Sequence, residues 1–410
     1  MATLRPFRAL RPRPADAARI AAVPYDVVNT EEARALAGAN PLSFLRVSRA
    51  EIGLPAGTDP YSQDVYDRAA QNFARLKQSA LVVEDTASLY LYRLRMGAHE
   101  QVGLAACYAL DEYDRDVIKK HERTRHDKED DRTRHMLALG AQTGPVFLIY
   151  RACAEIDRLV TDAIQGEPLI DFEAEDGVRH TLWRVDGATR DRLIELAERI
   201  PALYIADGHH RAASAARARA EMQERGLSGI SLGDGADSAT FLAVAFPDNR
   251  VQILPYNRIV KDLGGLSPAD FLQAVRGRFR LEKGPATPAR RGEIAMYFQG
   301  AWHTLRPLVP PSPADAIESL DVSLLQDGLL APVLKIADVR TDPRIEFIGG
   351  ARGTAELERL VDSGRAAVAF SLFPVAVADL MAASDAGAIM PPKSTWFEPK
   401  LRDGLLIHVI

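Results

Sequence analysis

The sequence predicts a mixed α/β fold, closer to the α+β kind than to a regular doubly wound sheet. Short apolar runs typical of strands alternate along the chain with segments of helical spacing, and adjacent strand-like runs often lack a helix between them. The composition, with 47% hydrophobic and 26% charged residues, is that of an ordinary globular protein. Because a doubly wound sheet needs a helix between consecutive parallel strands, the α+β class follows.

The individual elements are predicted from periodicity. Strands are predicted at short apolar runs between turn-forming residues, and helices where apolar residues recur every three or four positions. The predicted strands are Leu89–Leu94, Val102–Leu110, Val146–Tyr150, Leu203–Ala206, Phe241–Phe246, Val251–Leu254, Ile294–Phe298, Glu346–Ile348 and Ala366–Phe370. The predicted helices carry apolar faces at Val65, Ala69, Phe73 and Leu76 and at Phe271, Val275 and Phe279, and another runs from Ala212 to Arg225 with Gly226 as its stop.

A chain of 410 residues is long enough for two packed units. We place the boundary near residue 260, so that residues 1–260 form the predicted catalytic region and residues 261–410 a C-terminal α/β region. The Gly-rich stretch 226–237 is predicted to be a loop, and the Pro-rich stretch 307–313 a surface linker.

Charge and cysteine content favour a cytoplasmic protein that acts on a small molecule. The net charge of -5 argues against bulk electrostatic binding to nucleic acid. Cys107 and Cys153 lie in apolar runs and offer no disulfide framework, which fits a reducing compartment. The most apolar stretch, residues 366–383, is interrupted by Pro374 and Asp379, so we expect no membrane span. The oligomeric state is left open, with a homodimer among the options.

The most informative segment, residues 204–211, reads YIADGHHR and predicts an anion site. A strand runs into an Asp-Gly turn and then a helix, so the first backbone N–H groups and the positive helix end point at the turn. The predicted phosphate- or nucleotide-binding residues here are Asp207, Gly208, His209, His210 and Arg211. We expect the two histidines to meet one ligand at the turn, before the helix begins, because neighbours on a helix diverge by about 100°. The alternative is structural, with Asp207 as a helix cap and Arg211 solvated.

A second segment, residues 119–134, reads KKHERTRHDKEDDRTR and contains almost no apolar residue. If it is helical, Glu122, His126 and Asp130 share one face, which could hold a proton-transfer group beside Mg²⁺ or Mn²⁺. The alternative is a solvated helix with many ion pairs, the usual meaning of a charge run.

Two further loops carry candidate residues. Asp26 follows Pro24 and Tyr25 and is predicted to bind substrate, unless it only forms a turn. Lys393, Ser394 and Thr395 put a cation and two hydroxyls on a proline-stiffened loop, which predicts a phosphate contact. The alternative for this loop is a packed structural segment. Because the sequence contains no P-loop and no dinucleotide-binding glycine motif, a nucleotide would have to bind outside those folds.

Four segments of the chain together resemble the domain of unknown function 1015 family. They are RPFRALRP at 5–12 with VPYDVV at 23–28, KKHERT at 119–124 with DDR at 130–132, IADGHHR at 205–211, and MPPKST at 390–395 with Phe397 and PKL at 399–401. The DGHHR motif followed by a small-residue helix is also similar to the signature of the ParB/sulfiredoxin-like superfamily, in particular its free-serine kinase branch. This resemblance implies a ParB/sulfiredoxin-like core elaborated by N-terminal and C-terminal α/β segments.

The kinase resemblance also implies roles for particular residues. Lys-His-Glu at 120–122 is similar to the stretch whose glutamate takes the proton from the serine hydroxyl, so Glu122 becomes the candidate general base. His121 and His210 are the other predicted catalytic residues, and Arg123 and Thr124 join Asp26 as predicted substrate-binding residues.

The sequence therefore predicts a serine-kinase-like phosphotransferase. The reaction would pass a phosphoryl group between a nucleotide, ATP or ADP, and a small hydroxylated metabolite, with free L-serine or phosphoserine first among candidates. Mg²⁺ is the expected cofactor, while its ligands are left open. Two alternatives remain: a nucleotide- or metabolite-sensing regulatory protein, and a metal-dependent hydrolase or phosphatase built on His121, Glu122 and His126.

Overall fold

The computed structural model describes residues 2–226, 237–310 and 317–410. The predicted loop at 226–237 and the predicted linker at 307–313 lie partly outside these residues. The structure is mixed α/β, with 35% helix and 27% strand, and the predicted fold class is confirmed. Within the described part of the chain, no helix has both the length and the apolar composition needed to cross a bilayer.

The elements are numbered in chain order. The strands are β1 (Leu4–Arg5), β2 (Leu10–Pro12), β3 (Leu81–Val83), β4 (Leu89–Met96), β5 (His99–Ala109), β6 (Ile118–Lys119), β7 (Ala141–Gln142), β8 (Val146–Tyr150), β9 (Ile170–Glu173), β10 (Arg179–Val185), β11 (Leu203–Asp207), β12 (Thr240–Pro247), β13 (Gln252–Leu254), β14 (Tyr256–Val260), β15 (Phe279–Lys283), β16 (Ile294–Phe298), β17 (Ala301–Pro307), β18 (Ile345–Gly349), β19 (Val368–Leu372), β20 (Trp396–Glu398) and β21 (His408–Val409). The α-helices are α1 (Ala17–Ile20), α2 (Thr30–Ala37), α3 (Leu45–Ser48), α4 (Gln63–Ser79), α5 (Leu110–Asp114), α6 (His126–Leu139), α7 (Ala154–Ala163), α8 (Gly187–Ala197), α9 (His209–Glu224), α10 (Pro268–Arg276), α11 (Asp321–Leu325), α12 (Gly353–Asp362) and α13 (Val377–Asp385).

The chain divides into two compact units. One comprises Met1–Val251 together with Pro399–Ile410, and the other comprises Gln252–Glu398. Strands β13 and β14, which lie within the predicted range 1–260, therefore belong to the second unit. The predicted assignment of catalysis to residues 1–260 concerns function and stays a prediction.

The first unit is built on a nine-stranded sheet in the order β6-β11-β8-β12-β5-β4-β10-β9, with β1 paired to β5. Every residue of β8 and β12 is buried, as expected of strands covered on both faces. Near one edge, β11 runs parallel to β6 and antiparallel to β8. Since Lys119 pairs with Tyr204 in the parallel ladder, the residues that follow each strand leave the sheet at the same end.

Helix α9 follows β11 through a single glycine. It begins at His209, three residues before the predicted start at Ala212, so the predicted helix was right in type and wrong in its first residue. Its alanines at 212, 215 and 218 pack into the main core of the sheet, and α6 lies against it. Small side chains on this face let the helix approach the sheet closely.

The second unit has a six-stranded sheet in the order β15-β17-β16-β19-β14-β18. Helix α10 starts at a capping serine, because the Ser267 hydroxyl accepts a hydrogen bond from the Asp270 backbone at 3.2 Å. Phe271 and Val275 form its buried face, as predicted. Phe279 was also predicted on this face, but the helix ends at Arg276 and Phe279 begins β15, so that part of the prediction was wrong.

Candidate functional site

His121 and Glu122 meet the first residue of α9 in the first unit. The parallel pairing of β6 with β11 carries residues 120–122 alongside residues 205–209. One ligand atom each from His121, Glu122 and His209 lie within 4.8 Å of one another. Nδ1 of His209 is 3.9 Å from a carboxylate oxygen of Glu122, and the two imidazole rings meet edge to face with centroids 4.4 Å apart.

This cluster corrects the predicted helical stripe of Glu122, His126 and Asp130. Helix α6 begins only at His126, so Glu122 lies in the preceding loop and does not share a helix face with the other two. His126 is exposed, and the histidine that joins His121 and Glu122 is His209. The metal-dependent alternative that included His126 was therefore wrong about its third residue.

Both clustered histidines are electrically neutral near physiological pH. Burial lowers the pKa of His121 to about 4, although a hydrogen bond with the Ile205 backbone opposes this shift. Burial, and next the neighbouring His121, lowers the pKa of His209 well below its usual value. Among residues 2–226, 237–310 and 317–410, Nδ1 of His121 and Nε2 of His209 have no hydrogen-bond partner although both are buried. Each ring thus presents an unpaired nitrogen inside the protein.

His209 and His210 diverge from the start of α9. His209 faces His121 and Glu122, whereas Nε2 of His210 accepts a hydrogen bond at 3.1 Å from the backbone N–H of Arg125. The expectation that both would serve one ligand at the turn was wrong, because His209 is already the first helical residue. His210 instead ties the loop after Glu122 to the helix.

Asp207 ends β11 and is held by two cations. Its carboxylate is 3.1 Å from the Arg211 guanidinium and 3.6 Å from Nζ of Lys400. The N-cap of α9 is Gly208, so the structural alternative that made Asp207 the helix cap is not what the fold uses. Lys400, which the sequence analysis did not select as a site residue, lies in the PKL segment used for the family resemblance.

Arg211 is buried rather than solvated. Its guanidinium donates to the Pro145 carbonyl at 2.5 Å as well as to Asp207. Burial disfavours its charge, but the carboxylates of Asp207, Asp26 and Asp403 outweigh that effect and raise the pKa of Arg211. The side chain therefore supports the turn from inside, and a direct phosphate contact by Arg211 stays a prediction.

A small cavity of about 40 Å³ lies behind this arginine. Tyr25, Arg132, Arg211 and Asp403 are among its lining residues, and the Arg132 guanidinium stacks 4.1 Å from the ring centre of Tyr25. Burial raises the pKa of Asp403 to about 7, against the opposing effect of Arg211. The cavity has room for ordered water, and sequence reasoning missed Asp403 because no local motif marks it.

The charged run at residues 119–134 lies partly in α6, and its contacts fit the alternative of a helix with many ion pairs. Arg217 of α9 pairs with Glu129 at 3.3 Å and with Asp130, and the Ser214 hydroxyl donates to the Glu129 carbonyl at 3.1 Å. The Thr124 hydroxyl donates to the Glu129 carboxylate. These contacts of Glu129 and Asp130 attach α6 to α9. Arg123 is exposed in the loop beside Glu122.

Lys393, Ser394 and Thr395 belong to the second unit. The Ser394 hydroxyl donates to the Pro391 carbonyl at 2.6 Å, and the Arg258 guanidinium donates to the Lys393 carbonyl at 3.0 Å. Nζ of Lys393 lies 5.7 Å from the ring centre of Tyr256. These contacts are those of a packed loop, and the predicted phosphate role of the three residues stays a prediction.

The donor set does not suit Mg²⁺. Magnesium prefers an octahedral shell of oxygen atoms, largely from water, carboxylates and phosphates. His121, Glu122 and His209 offer two neutral imidazoles and only one carboxylate. No step of the chemistry is therefore assigned to Mg²⁺ at this cluster.

Several solved structures resemble this chain. A conserved hypothetical protein from Pyrococcus furiosus is 14% identical with a TM-score of 0.37, and the match covers 74% of this chain and 95% of that one. A variant of a free serine kinase in complex with AMP is 14% identical with a TM-score of 0.37, and the match covers 73% of this chain and 92% of that one. C-terminally truncated SbnI from Staphylococcus aureus is 12% identical with a TM-score of 0.39, and the match covers 74% of this chain and 87% of that one. The ligand in the kinase complex is a property of that protein.

The sequence family is established more directly than these structural likenesses. No curated protein has a sequence that matches this chain. The family described as "Protein of unknown function (DUF1015)" matches residues 4–323, which is more than half of the chain and includes β6, β11 and the start of α9. Three of the four segments that resemble this family lie within the matched residues. The chain therefore belongs to the DUF1015 family, as the resemblance predicted.

Proposed function

We propose that this protein is an enzyme that transfers a phosphoryl group between a nucleotide and a small hydroxylated metabolite, with free L-serine as the first acceptor to test. One observation carries the proposal. The carboxylate of Glu122 lies 3.9 Å from the imidazole of His209 at the N-terminus of α9, although the two residues come from distant parts of the chain. The predicted proton acceptor and the predicted phosphate-binding turn therefore lie side by side.

Glu122 is the proposed general base. Its side chain is 38% exposed, so a substrate can reach it, while its neighbours His121 and His209 are buried. A base must come within hydrogen-bond reach of the proton that it removes, and a half-buried carboxylate at the edge of a turn meets that requirement. His121 and His209 lie beside the carboxylate, and Arg123 and Thr124 follow Glu122 in the same loop.

The start of α9 is the proposed phosphate-binding element. The first N–H groups of a helix have no carbonyl partner inside the helix and point out from its positive end. Here they belong to His209, His210 and Arg211, directly after a turn glycine. Lys400 and Arg211 neutralise Asp207, so this carboxylate repels an incoming phosphate less. Stabilising phosphate charge with preformed donors is the main task in phosphoryl transfer.

The test is a phosphorus NMR assay on the full-length protein. The protein is incubated with ATP or with ADP, with Mg²⁺ in solution, with and without L-serine, and separately with phosphoserine alone. We expect a serine-dependent phosphoserine signal. Replacing a positioned acid–base group costs about 10²–10⁴-fold in rate, so Glu122→Gln should lose the signal by that factor.

The control is His126→Ala, because His126 is exposed and lies outside the cluster. It should turn over like the wild type, and circular dichroism of all three proteins should show the same fold. Bound nucleotide with no new phosphorus species for the wild type, or full activity in Glu122→Gln, would contradict the proposal.

A further inference from the structure

We infer that His121, Glu122 and His209 form a binding site for a divalent transition-metal ion such as Zn²⁺, Mn²⁺ or Fe²⁺. The ion would be held by two imidazole nitrogens and one carboxylate oxygen. This inference does not rest on phosphoryl transfer, since it concerns which ion the cluster takes and is tested without turnover.

The spacing of the cluster suits one ion. Nitrogen and oxygen ligands lie about 2.1 Å from a bound zinc ion, so neighbouring ligands are roughly 3–4 Å from each other. Nδ1 of His209 and a carboxylate oxygen of Glu122 are 3.9 Å apart, and all three ligand atoms lie within 4.8 Å of one another. Small side-chain rotations would bring them onto one ion, because the strand ladder and the first turn of α9 already fix the backbone.

The unpaired imidazole nitrogens are the second observation. His121 is 2% exposed, and in the described residues its buried Nδ1 has no hydrogen-bond partner. His209 is 5% exposed; its Nδ1 is the nitrogen that lies 3.9 Å from the Glu122 carboxylate, and its Nε2 is buried without a partner among the same described residues. Leaving such an atom unsatisfied inside the protein disfavours the folded state.

His180 is another buried histidine of the same unit, and both of its ring nitrogens have hydrogen-bond partners. Nδ1 of His180 is 2.8 Å from the Tyr92 hydroxyl, and Nε2 of His180 accepts from Nε of Arg402 at 3.1 Å. Both ring nitrogens of His180 are therefore satisfied within the protein. Within the described part of the chain, Nδ1 of buried His408 is also unpaired, so it is the convergence of His121, Glu122 and His209 within 4.8 Å that favours a ligand at the cluster.

The donor types select the class of ion. Two histidines and one carboxylate suit zinc and other first-row transition metals, and three protein ligands leave at least one position for water or a substrate oxygen. A carboxylate that ligates an ion cannot accept a proton at the same time. Metal binding and the proposed base role of Glu122 therefore exclude each other at any moment.

The first experiment titrates full-length, chelator-treated protein with Co²⁺ and follows its visible absorption. We expect saturable bands at about one Co²⁺ per chain, abolished by Zn²⁺ and left in place by a large excess of Mg²⁺. A wild-type protein with no saturable band, or one whose Co²⁺ is displaced by Mg²⁺ as readily as by Zn²⁺, would overturn the inference.

Variants locate the site. His121→Gln, His209→Gln and Glu122→Gln should each weaken Co²⁺ binding by roughly tenfold or more, since even indirect support of a metal ligand is worth that much. His126→Ala should bind like the wild type. Thermal unfolding in chelator identifies any variant that fails to fold, and the half-exposed Glu122 provides the variant least sensitive to that risk.

Equal affinity in the wild type and the Glu122→Gln variant would refute the site. The two proposals fail separately: metal binding without turnover contradicts only the phosphoryl transfer, and turnover without metal binding contradicts only this inference.

Discussion

Burial changes the acid–base behaviour of His121. In the unfolded chain the His121 imidazole titrates near its ordinary pKa of 6.5, whereas in the folded protein burial lowers that pKa to about 4. Between these values the unfolded state binds more protons than the folded state. The contribution of neutral His121 to the free energy of unfolding is therefore fully present above the pKa of the unfolded chain. It is lost as the pH falls toward the pKa of the folded protein.

We accordingly predict that His121→Gln makes stability less sensitive to acid. Between pH 7 and pH 5 this histidine alone should lower the free energy of unfolding by about 2 kcal/mol. Urea unfolding of the wild type and the variant in chelator at both pH values measures the difference. His126→Gln is the control for the substitution itself, because His126 is exposed and lies outside the cluster. If the free energy of unfolding changed equally between the two pH values in the wild type and in His121→Gln, His121 would not be buried in its neutral form.

The comparison must be between variants, because other groups titrate in the same range. Asp403 opposes the histidines, since its pKa is raised to about 7 by burial and its protonation stabilises the folded state as the pH falls. Burial also lowers the pKa of His135 to about 4, in the same direction as for His121. These contributions are common to both proteins and cancel in the difference between their slopes.

At the scale of elements, the turn from β11 into α9 depends on one glycine. Gly208 has φ of 93°, in the left-handed region that side chains disfavour. A Cβ placed on it would also lie only 2.8 Å from Nε of Arg211. The strand can therefore end and the helix begin within one residue only because position 208 has no side chain.

We predict that Gly208→Ala lowers the free energy of unfolding by more than the same substitution at a glycine where an added Cβ would contact no other atom. The left-handed backbone alone costs about 1–2 kcal/mol with a side chain, and displacing the buried Arg211 guanidinium adds to that cost. Gly177→Ala is the matched control, since its φ is 76° and nothing lies near its Cβ. Thermal and urea unfolding would measure both, and equal losses would show that Arg211 does not depend on the space at Gly208.

The same elements show what local sequence can and cannot predict. β8 and β16 were predicted to the residue, because a fully apolar run bounded by turn residues is a local signal. The predicted helical face of Glu122, His126 and Asp130 was wrong, since a run without apolar residues has no periodicity to fix where a helix begins, and α6 begins at His126.

Site residues follow the same distinction. Glu122 and His209 were both selected from their own motifs, but their contact depends on the two-residue strand β6 pairing with β11. Such long-range pairing leaves no local pattern. For the same reason Lys400 and Asp403 were missed, since they reach Asp207 and Arg211 through tertiary structure alone.

At the scale of the whole molecule, the first unit needs a segment that follows the second unit in sequence. Residues 399–410 supply Lys400 to Asp207, Arg402 to His180, and β21 to β7. The Asp403 backbone also exchanges hydrogen bonds with Ala22, at 2.9 and 3.2 Å. These contacts all lie inside the first unit.

We predict that deleting residues 399–410 destabilises the first unit. Buried His180 would lose its Arg402 partner and β7 would lose its pairing strand. Hydrogen exchange measured by mass spectrometry should show lost protection in β7 and in β10. Lys393→Ala, which alters a loop of the second unit, is the control and should leave both strands protected. Unchanged exchange in β7 and β10 after the deletion would contradict this view of the segment.

The division of the first unit between two stretches of sequence also imposes an order in time. A ribosome makes residues 1–251 and then the whole of the second unit before it adds residues 399–410. Domains generally fold as they emerge during synthesis, at about 5–20 residues per second. The second unit is therefore available to fold while the first still lacks β21, Lys400 and Arg402. Synthesis of the first unit therefore begins before that of the second unit and ends after it. Asp207 cannot pair with Lys400 until residues 399–410 have been added.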